Sequence, residues 1–477
     1  MGEHTFLMSA ANRLRISVVT ETHLPEVNGV SRSLDRMMQG MRDRGHELTV
    51  FRPAQSSDQT PGLDLTLDSI TGLSYKTISG RFFPRSKSSL RRISIESEQR
   101  VSALTNETSR PAYDSKAREG TTEHLCIGLR MPFYKEVQVG LASPHFFRSR
   151  FRQHRPDLVH IITEGPLGFN AMLAARSCGI PVISDYRTHF DQYFDYYGMS
   201  GLGRAVSRYL RLFHNLTRRT LVPTESMRSE LLASGYKRVS VIGRGVDLQA
   251  YSPEHRNPEL RESLGVGVND LLVLYAGRLA PEKNIELAIQ SFREIQNRIP
   301  NARMLLVGDG PERNRLEREN PDLYFTGFLS GKDLSEHYAS SDVFLFPSLT
   351  DTFGNVVTEA AASGLAILAY DRGAARQLLK DEESALIASQ MDPESFLGLA
   401  RKLATIAQPG MGTRLNSNSP VSNLDFQSIR VRAREIASLA GWDSVVDRLE
   451  NVYFDALVKK VRFRSLVQSR MRKAQFQ

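Results

Sequence analysis

The order of strand-like and helix-like segments predicts an α/β protein made of two doubly wound parallel-sheet domains. Short apolar runs recur with helical stretches between them, the pattern of parallel strands covered on both faces. The series occurs twice, on either side of a polar stretch at 246–269 that carries Pro253 and Pro258. The length, 477 residues, is more than one hydrophobic core normally organises.

Residues 14–20 form the first predicted strand, followed by a turn through Pro25 and Gly29 and a helix over 31–44. Gly45 ends that helix and a strand follows at 46–51, with later strands at 158–162, 182–184, 219–222 and 239–242. The second series has a strand at 271–277, a helix at 285–296, and strands at 304–307, 323–325, 343–346 and 366–369. These place a first domain at 1–248 and a second at 249–425. Residues 54–123 are rich in Ser, Thr, Arg and Gly and are expected to be a mobile insertion in the first domain. The stretch 409–423 reads as a second loop. After it, a helical run at 429–457 carries Trp442, Val445, Val446, Leu449, Val452 and Tyr453 on one face, which must be buried against something.

Composition excludes several classes. No apolar run approaches the roughly 18–20 residues of a membrane span. The N-terminus lacks the basic and apolar regions of a signal peptide, and Phe6 stands where a myristoylation pattern needs Ser or Thr. Cys126 and Cys178 are too few for a disulfide framework, and His124 beside Cys126 does not make a metal site. They read as small buried hydrophobes in a reducing cytoplasm. The net charge of +9 is uneven, with seven cations and no acid between Lys459 and Lys473. Arg204, Arg208, Arg211, Arg218 and Arg219 alternate with Leu202, Val206, Tyr209, Leu210, Leu212 and Phe213 at helical spacing. Such a helix suits an anionic membrane surface, or a core position with a solvated basic face. No helix-turn-helix, zinc or RNA-binding signature accompanies the charge, which argues against nucleic acid as a partner.

Two constellations carry chemistry. In the first, Asp351 and Glu359 lie eight positions apart, one before a predicted helix and one inside it. The backbone N–H groups of Phe353, Gly354 and Asn355 stand between them at the helix start, an anion site by its unpaired amides and its dipole. Phosphate on the amides and sugar hydroxyls on the carboxylates would fit a nucleotide-sugar. In the second, Arg278 and Lys283 follow a strand that ends at Gly277, at the edge where open α/β sheets bind ligands. An arginine fork and a lysine point charge suit a leaving diphosphate.

Taken together, Asn28-Gly29-Val30, Gly243-Arg-Gly-Val-Asp247, Gly277-Arg278, Glu282-Lys283, Val307-Gly-Asp-Gly-Pro311, Phe325-Thr-Gly-Phe328 and the segment from Asp351 to Gly364 resemble the retaining glycosyltransferases of the GT-B fold, family 4, also called group 1. Within that family the chain is most similar to GDP-mannose-dependent α-mannosyltransferases and sulfoquinovosyltransferases. The resemblance implies two domains across a cleft, the nucleotide-sugar on the C-terminal one and the acceptor between them. The segment 426–477 would then return as a helix to the N-terminal domain and end in the basic tail.

By the same resemblance Arg278 and Lys283 hold the diphosphate, Gly29 brings the first loop to the sugar-phosphate, and Gly327 and Phe328 line the nucleobase position. Phe353, Gly354 and Asn355 offer backbone donors, and Glu359 binds the ribose hydroxyls. It implies transfer of a hexose with retention, with mannose from GDP-mannose the leading donor and a lipid or glycan the acceptor. A UDP-sugar, with glucosyl or sulfoquinovosyl transfer, is the second choice. The scheme requires no metal or other cofactor beyond the nucleotide-sugar co-substrate.

Three positions depart from the family pattern. The first acid is Asp351 where Glu is usual, Arg187 or His189 takes the place of a His that contacts the sugar, and paired glycines are replaced by Arg372-Gly373-Ala374. Other readings are a nucleotide-sugar epimerase on the same fold and a binding protein without catalysis. Glu164 follows a strand end and is placed to face an acceptor. The expected location is cytoplasmic, peripheral on the inner face of a membrane.

Overall fold

The computed structural model describes residues 13–23, 29–55, 121–131, 134–187, 200–389, 391–408 and 425–457, with short strands at 64–66, 77–78 and 81–82. His189, the loop 409–423, the basic tail and nearly all of the expected insertion lie outside the described residues.

The first sheet contains β1 (Arg15–Val19), β2 (Glu47–Pro53), β3 (Asp64–Thr66), β6 (Thr121–Met131), β7 (Tyr134–Leu141), β8 (Leu158–Ile161), β9 (Val182–Asp185), β10 (Arg219–Val222) and β11 (Val239–Val241). Two further strands, β4 (Thr77–Ile78) and β5 (Arg81–Phe82), pair only with each other. The order across the first sheet is β11-β10-β9-β8-β1-β2-β6-β3, with β7 antiparallel on β6 and the other pairs parallel. The second sheet has six strands: β12 (Leu272–Ala276), β13 (Arg303–Val307), β14 (Tyr324–Gly327), β15 (Val343–Phe346), β16 (Ala366–Tyr370) and β17 (Leu386–Ala388). Its order is β14-β13-β12-β15-β16-β17, all parallel. Residues 272–276 and 343–346 are buried without alternation, because helices cover both faces.

Each sheet reverses its winding once, between β1 and β8 in the first and between β12 and β15 in the second. Loops leaving the carboxyl ends of strands on either side of such a reversal diverge and leave a crevice. The two doubly wound parallel-sheet domains are therefore as expected.

The long β6–β7 pair was not expected from the sequence. Residues 121–123, assigned there to the insertion, open strand β6 in parallel register with β2. The polar run Thr121-Thr-Glu-His124 hides this strand from a reading based on apolar runs.

The helical run at 429–457 is also not continuous. Helix Phe426–Leu439 buries Ala433 and Ala437 in the core of the second sheet. Residues 442–457 instead set Val445, Val446, Leu449 and Tyr453 against Leu34, Met37, Met38 and Met41 of helix Gly29–Asp43 under the first sheet. The crossing is made at Ala440 and Gly441, where the Val246 amide donates to the Ala440 carbonyl at 3.0 Å. Close approach fixes two glycines here: a Cβ at Gly40 would stand 2.5 Å from Val446, and one at Gly245 2.6 Å from the Trp442 ring.

The turns that leave β12 and β13 lie backbone to backbone. Gly308 has φ +137°, and a Cβ there would stand 1.9 Å from the Gly277 carbonyl oxygen. Gly308→Ala is expected to lower stability by roughly 2 kcal/mol or more. Gly179→Ala, at φ +68° with nothing within 4 Å, should cost only the backbone term, about 1 kcal/mol. Denaturant unfolding of both variants checks the difference.

Candidate active site

The two constellations read from the sequence meet at the carboxyl edge of the second sheet. After β12 the chain makes a turn over Pro281–Lys283 and enters helix Ile285–Gln296 through Asn284, which is left-handed at φ 53°, a conformation asparagine tolerates. This turn holds Lys283 beside the loop after β15, where its Nζ donates to Asp351 Oδ2 at 2.8 Å. The Leu349 amide donates to the Glu282 carbonyl at 3.3 Å and joins the two loops a second time. Ser348 Oγ also donates to Asp351. Burial works against ionisation of Asp351, but the Lys283 ammonium, the Ser348 hydroxyl and the charge of Arg372 together hold its carboxyl below the usual range. Lys283 and Asp351 keep 16% and 28% of their side chains exposed, so the pair is accessible from the cleft. Arg278 is exposed on the same edge, and its carbonyl accepts from Tyr275 at 3.2 Å.

Gly354, left-handed at φ 81°, starts helix Asn355–Ala362. Phe353 is buried, and its carbonyl accepts from the Ala374 amide at 2.6 Å. A Cβ at Gly373 would lie 2.3 Å from that same carbonyl, so one glycine of Arg372-Gly373-Ala374 does sit where close approach demands it. Across the cleft, Asn355 Nδ2 donates to Ser33 Oγ at 3.3 Å. Gly29 is the first residue of its own helix, and a Cβ on it would be 3.9 Å from Asn355 Nδ2. Two helix N-termini, one from each domain, therefore converge, and their positive dipole ends add to Lys283 and Arg278.

Glu359 lies one turn deeper. It accepts from the Tyr338 hydroxyl at 3.1 Å and bonds Tyr251, with Arg32 of the first domain nearby. Burial raises its pKa, and Arg32 and the two phenols only partly oppose this. Gly327, at φ 76°, and Phe328, 58% exposed, stand at the end of β14 on the same edge.

Arg187 leaves the carboxyl end of β9 and is buried. Its Nε donates to Asp185 Oδ2 at 2.6 Å, and its own carbonyl accepts from Thr352 Oγ1 at 3.0 Å, a contact between the domains. Asp185 is strongly acidic: despite burial, Arg187, His160 and Arg244 hold its pKa far below the usual range.

Residues 256–413 match the family model for Glycosyl transferases group 1, and residues 95–250 match that for Glycosyltransferase Family 4. A GDP-mannose-dependent α-mannosyltransferase of Mycobacterium tuberculosis is 31% identical over 378 residues, 78% of this chain and 83% of the relative. The chain belongs to the group 1, family 4 glycosyltransferases. A sulfoquinovosyl transferase of Arabidopsis thaliana is 31% identical over 281 residues, 58% of this chain and 54% of that protein. The crystal structure of Anabaena Alr3699/HepE in complex with UDP superposes with a TM-score of 0.62 at 16% identity, covering 93% of this chain and all of that one. The glycosyltransferase thus has the GT-B fold and is a hexosyltransferase.

The structure adds residues that the sequence reading of this glycosyltransferase missed. Tyr251, Tyr338 and Arg32 surround Glu359 although they are far from it in sequence. At the carboxyl edge of the first sheet, after β1, Glu21 accepts from the amides of Gly140 at 3.2 Å and Leu167 at 3.4 Å. A Cβ at Gly165 would fall 2.0 Å from its carboxylate, so Gly165 is required there. Beside it the Glu164 carboxylate lies 3.1 Å from His214 Nε2, and Tyr209 donates to the Glu164 carbonyl. Burial pushes the Glu21 carboxyl up to about 7, with the charge of Glu164 adding to the rise against the two amide bonds. His160 and His214 serve internal hydrogen bonds.

Because Glu21 titrates higher folded than unfolded, its contribution to stability is complete below pH 4.5 and is lost as pH rises through about 7. Glu21→Gln should flatten the stability profile between pH 5 and 8 by roughly 2 kcal/mol relative to wild type. Melting temperatures across that range measure it, and parallel profiles would contradict the assignment.

Proposed function

We propose that the chain transfers mannose from GDP-mannose to a lipid or glycan acceptor with retention of anomeric configuration, at an anionic membrane surface. The observation that carries the reading is the convergence of two helix N-termini on the Lys283–Asp351 pair. Transfer breaks the bond from the sugar C1 to the diphosphate oxygen and forms a bond from C1 to an acceptor oxygen on the same face. The acceptor hydroxyl proton goes to the departing diphosphate, and no cofactor enters. Negative charge grows on the diphosphate, so Lys283, Arg278 and the two helix ends stabilise the transition state more than the ground state. Asp351 orients Lys283, and Glu359, itself positioned by Tyr338 and Tyr251, holds the nucleotide ribose.

The mannose assignment is supported by the 31% identity to a relative whose name carries GDP-mannose. The sulfoquinovosyl relative supports a UDP-sugar as the runner-up. Incubation with GDP-mannose and with UDP-glucose, each with and without lipid acceptor, separates the readings. GDP release that requires acceptor, with NMR of the product showing the donor's anomeric configuration, supports the proposal. Preference for UDP-glucose favours the runner-up, an epimerised nucleotide-sugar without acceptor favours an epimerase, and binding without turnover favours a binding protein. Lys283→Ala should reduce kcat/KM by roughly 100-fold or more while the chain stays folded. Wild-type activity in that variant would remove Lys283 from the diphosphate site.

Among the described residues no helix is long and apolar enough to cross a membrane. Helix Ser200–Asn215 buries Leu210 and Phe213, yet leaves Tyr209 36% and Leu212 59% exposed among exposed Arg204, Arg208 and Arg211. That mixed face supports docking on anionic lipid. Arg204→Glu with Arg208→Glu should weaken binding to phosphatidylserine-containing vesicles by roughly 25-fold, since each cation contributes about 1 kcal/mol. Unchanged co-sedimentation would exclude this helix.

A further inference from the structure

Two buried arginines lie beside one carboxylate at the carboxyl edge of the first sheet. Arg187 follows β9 and Arg244 follows β11, both at the carboxyl edge of the first sheet, and they are 5% and 8% exposed. Asp185 Oδ2 takes the Arg187 guanidinium, while Oδ1 is occupied by His160 Nε2 at 3.0 Å. His160 is itself fixed from behind, its Nδ1 lying 2.7 Å from the Tyr453 hydroxyl. Both carboxylate oxygens therefore have a partner. Arg187 Nη2 is paired with the same Oδ2 and also reaches the Met37 sulfur at 3.5 Å, whereas Arg244 Nη1 has that sulfur, at 3.9 Å, in place of a carboxylate. A thioether is a weak acceptor and carries no charge. Arg187 Nη1 is buried with no hydrogen-bond partner.

This arrangement is costly for a purely structural network. One arginine would neutralise Asp185, and a second guanidinium removed from water without a counter-charge carries a penalty of several kcal/mol. The strain falls on Arg244, whose pKa drops to about 9 through burial and the neighbouring charge of Arg187. An unmatched buried charge at the ligand edge of a parallel sheet is where a ligand charge completes the site. The position fits as well. The Arg187 carbonyl is tied to Thr352, the residue next to Asp351, so the guanidinium pair lies where the acceptor-side edge meets the donor loop.

We propose that Arg187 Nη1, backed by Arg244, receives an anionic group that a substrate carries into the cleft in addition to the nucleotide diphosphate. The chemistry is that of a carboxylate, phosphate monoester or sulfonate, on either the acceptor or the transferred sugar. The inference rests on the cleft being the transfer site, but its readout is binding, so it stands or falls separately from turnover.

The test uses matched probes that differ in the acid, measured by isothermal titration and thermal shift on the full chain. Glucuronate against glucose and glycerol 3-phosphate against glycerol report an acidic acceptor; UDP-glucuronate against UDP-glucose reports an acidic donor sugar. Wild type should prefer the acidic member of at least one pair by about tenfold, the strength of one charge-assisted hydrogen bond. Arg187→Gln should reduce that preference to within about twofold, leave GDP affinity unchanged, and keep the melting temperature at or above wild type, since one arginine then faces one carboxylate. Lys283→Ala should do the reverse, weakening GDP and sparing the preference. Arg187→Met and Arg244→Gln provide the same reading if Arg187→Gln folds poorly. No acid preference in wild type, retained preference in a folded Arg187 variant, equal loss of GDP binding in the Arg187 and Lys283 variants, or unfolding of all three arginine variants would each overturn the inference.

Discussion

The reversal of strand order between β12 and β15 is the constraint on which the Lys283–Asp351 site depends. Because all six strands of that sheet run the same way, every loop that can reach a ligand emerges at one edge. The reversal sends the loop after β12 one way and the loop after β15 the other, and the opening between them is spanned by Lys283 and Asp351. Gly308 and Gly310 let the neighbouring loops lie against the first at backbone distance, with Cβ clearances of 1.9 and 2.3 Å that no side chain could occupy. The first sheet repeats the same geometry between β1 and β8. The two crevices share a cleft because the chain crosses between the domains at adjacent points, Val246 and Gly441.

Within this frame, three carboxyl groups of similar chemistry are shifted in different directions and degrees by their surroundings. Asp351 has an ammonium, a hydroxyl and a distant guanidinium, so its anion is favoured despite burial. Glu359 is deeper and has two phenols with Arg32 beyond them, which do not fully offset desolvation. Glu21 has two amide donors but another acid, Glu164, beside it. The cations differ in the same way. Lys283 has its own counter-charge, whereas Arg187 and Arg244 compete for Asp185. Lys283 therefore carries its own counter-charge at the edge of the second sheet, whereas Arg244 at the edge of the first has none bonded to it.

Much of the Lys283–Asp351 site was legible in the sequence because it is local. Gly354 before a run of helix formers marks a helix start, and Arg278 and Lys283 follow directly on a buried strand. Glycines at 308, 310 and 327 mark turns whatever the tertiary structure does. The partners of Glu359 were not legible, since Tyr251 and Tyr338 reach it from separate elements and carry no spacing signal. Asp185 and His160 likewise appear as ordinary strand residues until β8 and β9 are placed side by side. The break at Gly441 was hidden by an apolar stripe that continues on both sides of it, each half facing a different domain.

The sequence by itself determined the two doubly wound domains, the helix start at Gly354 and the residue types at the carboxyl edge of the second sheet, because periodicity, turn chemistry and strand ends are properties of neighbouring residues. Only the tertiary structure decided that Lys283 is bound to Asp351, that Gly29 faces Asn355 across the cleft, and that Arg187 and Arg244 depend on a single carboxylate. Those facts depend on which strands lie adjacent and on how much water each charge retains. Neither quantity is encoded in any short stretch of chain.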